Sequence, residues 1–143
     1  MKDFIEQQIL QAVRELLTGK VNEILGELAF SIPLIEFGNY RSGKVIVPVI
    51  TLNTCEMTEK ERIIRLDCYS MNITFTFPDT QDAELHCYTY SDAVRKALEQ
   101  DKTLGGVVDR AIITGKKYMP PRNPECNEGF GVIMILRLTL IVG

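Results

Sequence analysis

The residues of this chain best suited to chemistry are His86 and Cys87, neighbours in the sequence. A thiol nucleophile needs a base brought against it by the fold and a third group to orient that base. Adjacent residues of one helix do not face each other, so the pair reads as a helix-surface histidine beside a small apolar cysteine. Leu104-Gly105-Gly106 is a double glycine ahead of a strand. A phosphate-cradling loop opens a helix instead, so this segment is expected to be a turn. Asp79, Asp82 and Glu84 cluster as carboxylates that could hold a hard cation, but they lack the twelve-residue spacing of a calcium loop and read as a solvated helix start. Cys55, Cys68, Cys87 and Cys126 contain no CxxC pair, and His86 is the sole histidine. The usual zinc sets are therefore incomplete. Cys68 and Cys87 read as small apolar residues and Cys126 as a loop thiol. The sequence thus predicts no catalytic set, no metal site and no cofactor, and the chain is not expected to be an enzyme.

Charge is the second source of chemistry. Lys116, Lys117 and Arg122 surround Tyr118, and cations beside an aromatic ring can track a nucleic-acid backbone. The balance of the whole chain opposes that role: sixteen Lys plus Arg against nineteen Asp plus Glu give a net −3. No sequence-specific nucleic-acid binding is expected. The charge is uneven, however. Residues 101–143 hold six cations and four carboxylates, whereas residues 1–100 hold ten and fifteen. Such asymmetry suits head-to-tail contact between copies or with an acidic neighbour.

The elements that must position these groups follow from periodicity. Ile5, Ile9, Ala12 and Leu16 form an amphipathic helical stripe facing a core, and Gly19 is expected to stop that helix or loosen its end before a second short helical turn around Val21 to Leu28. β-like runs follow at LIEFG, after the turn NYRSG, and over 44–52, where Pro48 marks an edge strand or a bulge. An edge is where another subunit's strand could add. Residues 53–62, with Glu56, Glu59, Lys60, Glu61 and Arg62, read as the solvated loop of a long hairpin. Over 63–77 Ile64, Leu66 and Cys68 alternate first, then Tyr69, Met71, Ile73, Phe75 and Phe77 continue in the opposite phase. That slip predicts a β-bulge near Cys68 and Tyr69. A second helix is expected over 82–101, capped by Asp82 or Thr80, with Leu85, Tyr88, Ala93, Ala97 and Leu98 as contacts. Strands are expected over 107–118 and 132–142, joined by a proline- and glycine-rich loop. The last strand is apolar on both faces in its first half, as a central or interface-covered strand should be.

These elements predict a single α+β domain over residues 1–143, a mostly antiparallel β-sheet packed on one face by two α-helices. With 143 residues, 45% hydrophobic and 24% charged, the chain has the length and composition of one ordinary folded domain. The most apolar run, 132–142, is about half the ~20 residues a membrane helix needs, and the N-terminal segment lacks a signal-peptide apolar core, so no membrane partner is expected and the cysteines are expected to be free thiols.

The stretch 63–142 resembles the tail-terminator, or tail-completion, proteins of long-tailed bacteriophages and prophages. The resemblance is carried by IRLDCYSMNITFTFP, the helix ending YTYSDAVRKALEQD, the turn TLGGVVDRA, ITGKKYMPP and the closing GVIMILRLTLIV. It covers roughly the last 80 residues, and the N-terminal helix fits the family order. It implies a structural virion-assembly protein that forms a ring, hexameric in many members, which caps the tail tube and joins the head connector. The implied partners are further copies of itself, the tail-tube protein and the head connector protein. The implied location is the virion tail, and the bacterial cytoplasm during assembly. By the same pattern, residues 53–62 and 119–131 are candidate contact segments; the uneven charge adds the expectation that Lys116, Lys117 and Arg122 pair with acids such as Glu56, Glu59 or Glu61 of a neighbouring copy. Another connector or tail-tube part, a small prophage-borne enzyme and a monomeric regulatory module are the competing expectations.

Overall fold

The computed structural model describes residues 4–28, 33–37, 45–60, 64–77, 82–121 and 129–142. In chain order the elements are α1 (Ile5–Leu16), a π-helical turn (Leu17–Val21), α2 (Asn22–Gly26), β1 (Leu34–Ile35), β2 (Val45–Ile46), β3 (Val49–Lys60), β4 (Ile64–Phe77), α3 (Ala83–Gln100), β5 (Arg110–Met119) and β6 (Phe130–Val142). β3, β4, β6 and β5 lie side by side in one antiparallel sheet, and β1 and β2 form a separate parallel pair. The fold is α+β, with the helices and one face of the sheet sharing a single core.

Helix α1 does not stop at Gly19. Ile9, Val13, Leu17, Val21 and Leu25 are all buried and recur every four residues. Four-residue steps overshoot a 3.6-residue turn by roughly 40° each. A π turn, with its i→i+5 bonding, takes up more residues and returns the stripe to the core. Gly19 sits in that turn facing solvent, with open space where a Cβ would be. Just beyond it, the Asn22 side chain holds the backbone of Ile35 from both sides: Oδ1 accepts from the Ile35 N–H at 2.8 Å and Nδ2 donates to its carbonyl at 2.8 Å. The helical segment is thereby tied to β1, and Arg14 lies over the Phe37 ring, 5.3 Å from its centre.

The sheet is organised by β4, whose odd-numbered residues from Asp67 to Phe77 are buried. The expected bulge near Cys68 and Tyr69 is absent: β4 pairs with β6 from Arg65–Val142 to Phe77–Phe130 with no slip. The apolar phase changes because Asp67 occupies the helix-side face, where Arg65, two residues back, donates to it at 2.8 and 3.0 Å. An ion pair, and not an inserted residue, interrupts the hydrophobic pattern. The register shifts lie instead in the outer strands, between Leu52 and Thr54 in β3 and between Ile113 and Gly115 in β5. Pro48 is buried and separates β2 from β3, and β3 is an edge strand. Residues 53–60, expected as a loop, belong to β3, because antiparallel pairing with β4 satisfies their backbone although their side chains are polar. The hairpin is long, but it is built of strand almost to its tip. β6 is central, between β4 and β5.

Helix α3 buries Tyr90, Ala93, Val94, Ala97 and Leu98, while Leu85 and Tyr88, expected as core contacts, are about half exposed. Asp82 precedes the helix but makes no capping bond from its side chain, and Thr80 lies outside the described residues. After α3 the chain turns through Leu104, Gly105 and Gly106, all at positive φ. Glycine tolerates that region, and Leu104 is held there by burying its side chain. Asp101 Oδ1 accepts from the Gly105 N–H at 3.0 Å and closes the turn.

Two substitutions test this account by denaturant unfolding. Gly19→Ala is expected to raise stability by about 0.5–1 kcal/mol, since a helical backbone gains from alanine where space is open. A lowered midpoint would instead mark a true helix stop. Asn22→Ala is expected to cost about 1–3 kcal/mol, because it strips two partners from the Ile35 backbone.

Candidate functional site

The sequence candidates for chemistry separate in the fold. His86 is buried, not on the helix surface as expected, against Phe77 (ring centres 5.5 Å apart) and Tyr90 (6.2 Å). Its Nε2 has no hydrogen-bond partner among the described residues, and burial lowers its pKa, with Asp82 pulling the other way. Sequence reasoning missed this position because a single histidine between Leu85 and Cys87 carries no periodic signal. Burial pushes the neighbouring Cys87 thiol up to about 11, the opposite of an activated nucleophile. Glu84 accepts from the Tyr88 hydroxyl at 2.8 Å, so it is engaged within α3. Asp79 and Cys126 lie outside the described residues. Cys55, Cys68 and Cys87 are free thiols, and no group of three or more His, Cys, Asp or Glu among the described residues is placed to hold a metal.

The charged candidates are brought into a definite relation. Lys116 and Lys117 lie on β5, one outer strand of the sheet, while Glu56 and Glu59 lie on β3, the other. All four are exposed. Because β4 residues with odd numbers face the helices, register assigns each strand's faces. Glu59 pairs across to Arg65 and Lys116 to Met134, on the helix side; Glu56 pairs to Cys68 and Lys117 to Ile133, on the open side. Each edge therefore carries one relevant charge on each face, acidic on β3 and basic on β5. The two sets cannot pair within one copy, since β4 and β6 stand between them. Glu61 and Arg122, the remaining members of the expected pairing, lie outside the described residues, as does most of the 119–131 loop. Tyr118, read from sequence as the aromatic centre of the basic patch, meets Tyr88 of α3 edge-on at 5.3 Å.

The structure adds a feature that the linear pattern did not show. A groove of about 450 Å³ runs between α3 and the outer edge of β5. Leu98, Ala111 and Ile113 supply apolar lining, and Arg95, Lys102, Arg110 and Lys116 supply four cations against the single carboxylate of Glu99. Arg95 is already matched, donating to Asp92 at 2.7 Å and to Glu99 at 3.3 Å. Lys102, Arg110 and Lys116 make no ion pair among the described residues. They come from a helix exit, a strand start and a strand middle, so only folding collects them. The signal available in sequence was the cation excess after residue 100, without its location.

The buried imidazole generates a pH prediction. With its folded pKa below 6.5, His86 takes up a proton more readily when the chain is unfolded. Stability is therefore full above the unfolded value and falls as pH drops through it toward the folded one. Denaturant midpoints measured from pH 7.5 to 5 are expected to decline in the native sequence and to flatten in His86→Leu. An equal slope in both would show that another group governs this range. No protein-family model and no curated protein matches this chain.

Proposed function

We propose that this chain is a structural subunit of a phage or prophage tail, assembling head to tail into a ring that caps the tail tube and joins it to the head connector. The observation that supports the reading best is the pair of open sheet edges bearing opposite charge, Glu56 and Glu59 on β3 and Lys116 and Lys117 on β5. An uncovered edge strand is a template for another strand. Strand directions alternate from β3 through β4 and β6 to β5. A second copy rotated about an axis along the strands therefore brings its β3 antiparallel to the first copy's β5, with its helices on the same side. A contact of this head-to-tail type closes into a ring when the rotation divides a full turn, and a hexamer is one such closure. The tail setting, the tail-tube and connector partners and the placement in the virion tail, with assembly in the bacterial cytoplasm, come from the resemblance of residues 63–142 in element order and pattern.

The test uses purified full-length chain mixed with tail tubes of the same phage or prophage, viewed by negative-stain electron microscopy beside light scattering. Rings, or caps at one end of the tubes, are expected. Lys116→Glu with Lys117→Glu is expected to reduce capping by roughly tenfold or more at low salt, as facing like charges oppose docking. Adding Glu56→Lys and Glu59→Lys to that variant is expected to restore it. Tubes that stay open at both ends with native protein overturn the tail reading.

A further inference from the structure

We propose that the groove between α3 and β5 is the receptor for β3 of a second copy, which adds to the outer edge of β5 and sets Met57 and Glu59 into the groove. The proposal rests on the head-to-tail contact above and names the segment and the site that make it. Three observations carry it. First, β3 presents on its helix side an apolar side chain with no local use: Met57 is 64% exposed at an open edge, with Glu59 two residues on along the same face. An extended strand reading apolar then acidic on one face is what an apolar groove with unmatched cations would take. Second, the groove runs along a strand edge that no other described strand covers. A guest strand there gains backbone hydrogen bonds, and its alternate side chains reach the groove, as in strand-addition recognition generally.

Third, the registers agree. If Glu56 of the guest stands opposite Lys117 on the open face, Met57 falls opposite Lys116 on the helix side. Thr114 is the extra residue of β5. Beyond it Thr58 meets Gly115 and Glu59 meets Ile113, so every facing pair keeps to one side of the sheet. Glu59 then enters the groove beside Lys116, with Lys102 and Arg110 lining it further along. In this antiparallel register both acids of β3 reach cations, Glu56 opposite Lys117 and Glu59 beside Lys116.

The probe is a fluorescein-labelled peptide of residues 49–60 carrying Cys55→Ser, titrated with dilute full-length chain and read by fluorescence anisotropy. Saturable binding that weakens as salt is raised is expected. About tenfold weaker binding is expected for the full-length Lys102→Glu/Arg110→Glu variant, and for Met57→Asp or Glu59→Lys in the peptide against native protein. Lys102 and Arg110 are exposed, so the paired substitution leaves the core intact, and the peptide variants test the same contact with the native fold. No binding, or binding indifferent to all of these changes, overturns the groove assignment. Capping of tail tubes that is unaffected by Lys102→Glu/Arg110→Glu overturns it too, while leaving the tail reading in place. Groove-dependent peptide binding by a chain that leaves tail tubes open supports the groove and sinks the tail reading.

Discussion

The antiparallel ladder between β4 and β6 is the constraint on which the rest of this molecule depends. It runs from Arg65–Val142 to Phe77–Phe130 without a slip. Because side chains alternate strictly in an unbroken ladder, Met71, Ile73, Phe75 and Phe77 share one face with Val132, Met134, Leu136 and Leu138, and all are buried. Each such side chain contributes about 1.5–3 kcal/mol when removed from water. A one-residue slip would turn the whole set outward, so the core itself enforces the register. Helix α3 and the four-residue stripe of α1 close over this face, and the π turn keeps that stripe in phase with a surface it must follow.

A rigid centre moves irregularity to the margins. The two register shifts of the sheet fall in β3 and β5, its outer strands. Shifts there bend an edge and re-aim its side chains without disturbing the buried pairs. The chain thereby combines a core that tolerates no change of register with outer strands that absorb the irregularity.

The end of the sheet near Phe77 shows what the packing costs. Phe75, Phe77, Tyr90 and His86 form one aromatic cluster, in which Tyr90 lies 4.7 Å from Phe77 and donates its hydroxyl to the Pro33 carbonyl. That bond anchors the segment carrying β1 to α3. The histidine in the same cluster leaves Nε2 unpartnered among the described residues, a penalty offset by the surrounding apolar contacts and sharpened by acid. The buried thiol at Cys87 is held protonated, and the imidazole beside it lies tilted against Phe77.

Local pattern was enough to determine the class of fold, the two main helices, the long strand over 63–77, the central closing strand and the glycine turn, because alternation, helical spacing and turn residues are short-range consequences of side-chain shape. It misled where two causes leave the same trace. A phase change at Cys68 reads as a bulge, yet the structure supplies an ion pair between Arg65 and Asp67. Gly19 reads as a stop or a loosened end, and a wider turn carries the helix past it. A polar run at 53–60 reads as loop, yet a strand at a sheet edge needs only its backbone satisfied. The acidic and basic residues were visible along the chain. Their placement on opposite edges and faces, the collection of Lys102, Arg110 and Lys116 along one groove and the burial of His86 were settled by tertiary structure alone. Each depends on which strands are neighbours, and that order is set by how the whole apolar surface is buried.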